Sequence, residues 1–165
     1  MARSVKKASQ NSQVQDATAC PLCAGKAVSG DARWRVLFAV DASAGTLTGA
    51  ERQLLDKMIA AMGAMGLQSD EVGVVPVVCA DCLGRHLVST GVKVIAVLGA
   101  GAARLALADP TIELERLRGE TFEFRGTRVV PTYHPGHLLA HPAAKKAAWE
   151  DLQRVAKELG LQISR

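Results

Sequence analysis

The segment Val92-Lys-Val-Ile-Ala-Val-Leu98 has the clearest buried-strand pattern in the sequence, and Gly99-Ala-Gly-Ala-Ala-Arg104 follows it directly. A short, nearly continuous run of branched apolar residues that ends at glycines is typical of a strand covered on both faces. The next residues predict a helix from about 102 to 108. A buried strand followed by a helix is the repeating unit of a parallel α/β sheet.

Three further segments predict strands, at residues 35–40, 72–78 and 129–133. Pro76 lies in the second of these, which indicates an edge strand or a bulge because proline offers no N–H to a neighbouring strand. Helices are predicted from the capping-box pattern at Thr48 and Glu51 to about residue 65, at 81–90 and at 142–159. We expect one α/β domain with three α/β/α layers and a central, mostly parallel four-stranded sheet.

The composition is that of a single folded domain preceded by a polar tail. The chain has 165 residues, of which 48% are hydrophobic and 22% are charged. No apolar run approaches the roughly 18 residues that a membrane span needs. Residues 1–19 are polar and include Arg3 and Lys6, without the apolar segment of a secretory signal. We therefore expect a disordered basic tail at 1–19, a domain at 20–165, a cytoplasmic location and no membrane partner.

The charge balance is mildly basic. Twenty basic residues against 16 acidic ones give a formal net charge of +4. Such a charge is compatible with a nucleic-acid partner, although alone it is weak support for one.

The four cysteines form two C-x-x-C pairs, Cys20 with Cys23 and Cys79 with Cys82. In a reducing compartment such pairs indicate a metal site more often than disulfides. Thiolates three residues apart on a turn can bind the same ion, so two turns supply four ligands. Zinc and an iron–sulfur cluster both fit this set. Four buried thiols or a redox pair are the alternative.

The glycines after residue 98 partly match a dinucleotide-binding loop. The third glycine of that loop is missing, and no acidic residue follows at the end of a next strand. The pattern therefore favours a tight turn between strand and helix.

Reactive side chains follow the first and last predicted strands. Asp41 ends the first strand, and the last strand continues into Tyr133-His-Pro-Gly-His-Leu-Leu139. Ligands of open α/β sheets bind beyond the carboxyl ends of the strands, and Pro135 restrains the backbone after His134. Asp41 and His134 are therefore candidate site residues, with purely structural histidines as the alternative.

Lys145 and Lys146 lie at the start of the last predicted helix. Lysine is unfavourable in a first helical turn, where the free N–H groups attract anions. Two lysines there indicate a phosphate site, with two solvated lysines as the alternative.

The stretch Thr132-Tyr-His-Pro-Gly-His-Leu-Leu-Ala-His-Pro-Ala-Ala-Lys-Lys-Ala-Ala-Trp-Glu-Asp-Leu152 closely resembles the second motif and last helix of uracil-DNA glycosylases of the iron–sulfur type, often called family 4. Residues 49–67, 94–99 and 118–125 also fit that pattern. So does a C-x-x-C pair ahead of the first strand. The resemblance covers about residues 20–160.

The resemblance implies base excision from DNA, with the target nucleotide flipped into a pocket. His134 matches the histidine that stabilises charge on the uracil oxygen, and Asp41 occupies the place of the acidic residue of the first motif. Leu138 matches the residue that wedges into the duplex. DNA contacts are assigned to Leu138, Gly136, His137, Lys145 and Lys146.

The family also implies a 4Fe-4S cluster, with Cys20, Cys23, Cys79 and Cys82 as its ligands here and zinc as the alternative metal. The implied partner is DNA that contains uracil or is single-stranded. We expect the protein to be a monomer.

The sequence departs from the family pattern at three places. Val40-Asp-Ala-Ser-Ala44 stands where the family has approximately Gly-Glu-Ala-Pro-Gly, and the segment with the uracil-stacking phenylalanine is missing between Thr46 and Glu51. Val75 replaces the asparagine that reads the base, which costs discrimination. The second cysteine pair is also closer together than in the family.

Three functions remain open. The first is an active glycosylase for uracil or a related damaged base. The second is a catalytically impaired, metal-containing DNA-binding module of the same fold. The third is a metal-stabilised adaptor that binds protein and never meets DNA.

Overall fold

The computed structural model describes residues 32–41, 47–77, 79–88 and 90–161. The predicted tail at 1–19 and the first cysteine pair lie outside the described residues, so both stay predictions.

The described part contains five strands and six helices. The strands are β1 (Val36–Asp41), β2 (Val72–Val77), β3 (Val94–Leu98), β4 (Phe122–Phe124) and β5 (Thr127–Thr132). The helices are α1 (Gly49–Ala61), α2 (Ala80–Val88), α3 (Gly99–Leu107), α4 (Leu114–Leu117), α5 (Pro135–Ala140) and α6 (Lys145–Glu158). Short 3-10 turns occupy Met62–Met65, Ser69–Glu71 and Pro142–Ala144.

The strands form one sheet in the order β2-β1-β3-β5-β4. The four predicted strands are parallel to one another, which confirms the α/β class. The prediction of only four strands is wrong, because β4 pairs antiparallel with β5. Arg125 and Gly126 both have positive φ, as a tight two-residue hairpin turn requires, and β4 is too short for a periodic signal in the sequence. Pro76 lies in the edge strand β2, as expected.

Helices cover both faces of the sheet. Val36, Phe38 and Val40 of β1 point into a core that α1 and α6 complete, whereas Leu37 and Ala39 point into a second core beneath α2 and α3. The side chains of β3 are at most 1% exposed. This two-sided burial explains the unbroken apolar run that predicted the strand.

The helix boundaries follow local signals. Thr48 and Glu51 form the expected capping box, with N–H to oxygen distances of 3.1 and 3.0 Å. Helix α3 begins at Gly99, whose φ of +94° makes the tight turn directly after β3. Helix α6 begins at Lys145, later than predicted, because the residues before it form a 3-10 turn. None of the described helices is long and apolar enough to span a bilayer.

Candidate functional site

The carboxyl ends of three adjacent strands carry the candidate site. Val40 is in register with Leu98, and Leu98 is in register with Thr132. Asp41, Gly99 and Tyr133 each come directly after one of these three residues. They therefore lie side by side along the carboxyl edge of the sheet. The fold thus brings Asp41 and the histidine loop to the same edge.

Two side chains lie against the start of α3. The Asp41 carboxylate packs so closely on Gly101 that a side chain at 101 would collide with its Oδ2 atom. His134 packs on Gly99, where an added Cβ would lie 3.1 Å from the His134 Cβ. The amino end of a helix carries partial positive charge, which favours a carboxylate at this place. Asp41 and His134 therefore flank one helix terminus.

The His134 ring is held by the backbone of its own loop. His134 is the N-cap of α5, and its Nδ1 accepts a hydrogen bond of 2.9 Å from the Gly136 N–H. An accepting Nδ1 carries no proton, so in the neutral imidazole the proton is on Nε2. The Glu51 carboxylate lies beside Gly136 and closes the other side of this turn. The loop therefore offers one N–H donor at Nε2.

A cavity of about 350 Å³ adjoins this imidazole. Tyr133, His134 and His137 line this cavity, and Arg104 and Glu113 line it as well. Arg104 is held by a 3.0 Å hydrogen bond from its Nε to the carbonyl oxygen of Ile112. A polar cavity with an oriented imidazole donor is suited to a small ligand with carbonyl acceptors.

Leu138 and Leu139 face opposite environments. Leu138 is 1% exposed and packs into the core between α1 and α6, whereas Leu139 is 43% exposed. The structure therefore differs from the expectation of an accessible Leu138, because the helical turn of α5 directs this side chain inward. Leu139 is the exposed large apolar side chain among the described residues.

Lys145 and Lys146 are both exposed in the first turn of α6. The N-cap of this helix, Ala144, supplies no side-chain hydrogen bond, and the first turn contains no acidic residue. Both lysines are therefore exposed to solvent at the amino end of α6, where the helix dipole also favours an anion.

A buried ion pair between Arg118 and Asp151 contacts Tyr133, which lines the cavity. Arg118 donates from Nε and Nη2 to both carboxylate oxygens of Asp151, at 2.8 and 2.9 Å, and also donates to the Ala147 carbonyl. The hydrogen bond to Asp151 raises the pKa of Arg118. The guanidinium carbon lies 4.8 Å from the centre of the Tyr133 ring. The guanidinium group of Arg118, held by Asp151, therefore restrains the Tyr133 ring.

The second cysteine pair follows the carboxyl end of β2. Cys79 is partly buried and precedes α2, which carries Cys82, and the Leu83 N–H reaches the Cys79 carbonyl at 3.3 Å. The part of the chain that the structure describes contains no cluster of three or more metal-ligand residues. Cys20 and Cys23 lie outside that part.

Sequence reasoning missed three contributors to the site. Glu51 was explained entirely by the capping box, although its second carboxylate oxygen reaches Gly136. Arg104 ends the glycine-rich segment that predicts only a tight turn, and its hydrogen bond to the Ile112 carbonyl is not encoded in that pattern. Arg118 was noted only within a family pattern, and its pairing with Asp151 spans 33 residues, beyond the reach of local spacing.

The family comparison fits this geometry. The model of the uracil DNA glycosylase superfamily matches residues 38–153. This range is most of the chain and includes Asp41, His134, both exposed lysines and the second cysteine pair.

Proposed function

We propose, since the chain belongs to the uracil DNA glycosylase superfamily, that it hydrolyses the N-glycosidic bond of uracil or a related damaged base in DNA. The target nucleotide leaves the base stack and enters the cavity beside His134. The bond between C1′ and the base nitrogen breaks, and its electron pair leaves with the base. Water then forms the new bond at C1′ and loses one proton, and the departed base anion takes up one proton, which yields the free base and an abasic sugar.

The observation that carries this proposal is the hydrogen bond from the Gly136 N–H to the His134 Nδ1. It leaves the proton on Nε2, so a neutral imidazole donates to the base oxygen on which negative charge develops. A donor that is already oriented stabilises the leaving base without rearranging during the reaction. Removal of one such donor typically slows a reaction about 100- to 1,000-fold.

Asp41 supplies the complementary charge. Bond cleavage leaves positive character on the sugar, and a carboxylate near C1′ stabilises that character or orients the attacking water. The contact between Asp41 and Gly101 supports this role, because it holds the carboxylate at the edge where His134 also lies. The two residues thus act on opposite partners of the broken bond.

The surface around α5 suits the DNA strand. His137 lines the cavity and Gly136 precedes it in α5, while the exposed Lys145 and Lys146 supply cations for phosphates of the strand. Leu139, rather than the buried Leu138, is the apolar side chain available to fill space left by an extruded base.

A second candidate function is a DNA-binding module without chemistry. Val75 favours it, because this residue is 4% exposed and packs in the core below α3, where it offers no group to read a base. The module would keep the lysines and the α5 surface but release no base.

Single-turnover release of uracil from a single-stranded oligonucleotide separates these functions. The glycosylase proposal expects release by the wild type and slower release by Asp41→Asn, with the exposed variant Gln53→Ala as a control. A folded wild type that binds the oligonucleotide but releases no base from uracil or other damaged bases would favour the module.

We also propose that Cys20, Cys23, Cys79 and Cys82 hold a 4Fe-4S cluster. The C-x-x-C spacing of Cys79 and Cys82 across the start of α2 supports this ligand set, since a cluster is held by four cysteine thiolates. The cluster would contribute stability by tying the amino-terminal segment to the sheet.

The metal is tested by anaerobic purification followed by visible spectroscopy and metal analysis. A broad visible absorption with about four irons per chain is expected. A colourless protein with one zinc would replace the cluster with zinc and keep the ligands. Cys20→Ser with unchanged metal content and melting temperature would rule out the site.

A further inference from the structure

Three aromatic rings are stacked in a column along α5. The rings of Tyr133 and His137 have centres 4.6 Å apart and planes inclined by 10°. The rings of His137 and His141 have centres 4.5 Å apart and planes inclined by 24°. The spacing of four residues repeats twice, which is the spacing that places side chains on one face of a helix.

The inner end of the column is fixed. The Arg118 guanidinium covers the free face of Tyr133 at 4.8 Å and is itself held by both oxygens of Asp151. Tyr133 is 9% exposed. This end therefore has no face available for a ligand.

The outer end of the column is open. His141 is exposed, and among the described residues its ring stacks on the ring of His137 alone. Its Nδ1 lies 3.3 Å from the His137 carbonyl oxygen, which restrains the ring orientation. A restrained, nearly parallel ring with one open face is a surface on which another flat ring can stack.

The surroundings of this open face fit a nucleic-acid base. Tyr133 and His137 line the cavity beside His134, so the column leads from the cavity outward. Lys145 and Lys146, both exposed at the start of α6, follow His141 in the chain within five residues. Aromatic faces beside cationic groups are the means by which proteins bind unpaired strands, with bases on the rings and phosphates near the cations.

We propose that His141 is a stacking platform for a base next to the nucleotide that enters the cavity. The inference rests on the proposed function, because it places the target nucleotide beside His134. With His141 included, the site binds one more base of the strand. That base is held by stacking on the His141 ring rather than by an ionic contact.

The test is a coupling measurement between the ring and individual bases. Fluorescence anisotropy gives the Kd of single-stranded oligonucleotides that carry 2′-fluoro-deoxyuridine, which resists cleavage because fluorine disfavours the oxocarbenium-like state. One flanking base at a time is removed by an abasic analogue. The proteins are the wild type, His141→Ala, His141→Phe and the exposed control Gln53→Ala.

We expect His141→Ala to weaken binding about tenfold, whereas His141→Phe binds within about twofold of the wild type because the ring is kept. The effect of His141→Ala should vanish for the one oligonucleotide that lacks the stacked base. Equal effects whichever base is removed, or a loss in His141→Phe as large as in His141→Ala, would overturn the platform. A wild type that binds no oligonucleotide would overturn it as well.

Base release is measured in parallel on the same sequences with ordinary deoxyuridine. If the effect of His141→Ala on binding depends on one flanking base but no uracil is released, the stacking proposal is supported and the glycosylase proposal is wrong. If uracil is released but the effect of His141→Ala on binding depends on no flanking base, the stacking proposal is wrong and the glycosylase proposal is supported.

Discussion

The adjacent residues Leu138 and Leu139 of α5 point in different directions because a helix turns by about 100° per residue. Leu138 completes the core between α1 and α6, and Leu139 projects into solvent. A motif match gives the position of a leucine pair along the chain but not which member points outward. The short α5, which begins at Pro135, decides that orientation.

Alanine substitutions at these two leucines should separate stability from DNA contact. Leu138→Ala should lower the free energy of unfolding by about 2–5 kcal/mol, because it leaves a cavity in the core. Leu139→Ala should change that free energy by less than about 0.5 kcal/mol and slow base release from duplex DNA more than from single strands. Urea denaturation and single-turnover kinetics measure both. A stable Leu138→Ala that loses only duplex activity would contradict this assignment.

At the scale of elements, the Arg118–Asp151 pair connects the segment after α4 to α6 and to the Tyr133 ring. The side chain of Asp151 is 2% exposed and that of Arg118 is 19% exposed. Breaking a buried pair on one side leaves an uncompensated charge, which costs about 3–5 kcal/mol. We therefore expect Asp151→Asn to destabilise the protein by about 3 kcal/mol in chemical denaturation.

An exposed pair provides the matched control. Arg52 and Asp56 form an ion pair on α1 with side chains 52% and 55% exposed. Exposed pairs of this kind contribute about 0–1 kcal/mol, so Asp56→Asn should have little effect. Equal losses from both variants would mean that burial does not determine the strength of the Arg118–Asp151 pair.

The elements themselves were largely predictable from the sequence. Runs of branched apolar residues identified the four parallel strands, and the capping box located the start of α1, because both signals are local. Strand β4 escaped prediction because three residues cannot show a period. In the site, strand ends located Asp41 and His134, but the contact between Glu51 and Gly136 depends on how α1 packs against α5, which no local pattern encodes.

At the scale of the whole molecule, a net charge of +4 is too small to explain DNA binding by itself. The distribution matters more, since Lys145 and Lys146 lie together at the start of α6, close in sequence to the histidine loop. Binding should therefore depend on salt mainly through these two residues.

The double variant Lys145→Ala plus Lys146→Ala should reduce the slope of log K against log salt concentration by about 1.4 for a single strand, because each phosphate contact contributes about 0.7. Lys157→Ala, an exposed lysine in the last turn of the same helix, is the control and should leave the slope unchanged. Titrations at several salt concentrations give the slope. An equal change in slope in the double variant and in Lys157→Ala would show that Lys145 and Lys146 make no phosphate contacts beyond those of any exposed lysine.

Single-turnover uracil release by His134→Ala measures directly whether the oriented His134 imidazole stabilises the departing base. His134→Asn is the companion variant, because asparagine can still cap α5 while the imidazole donor is lost. We expect release about 100- to 1,000-fold slower than the wild type in both variants, with oligonucleotide binding retained. Release within about threefold of the wild-type rate would show that this imidazole does not stabilise the departing base.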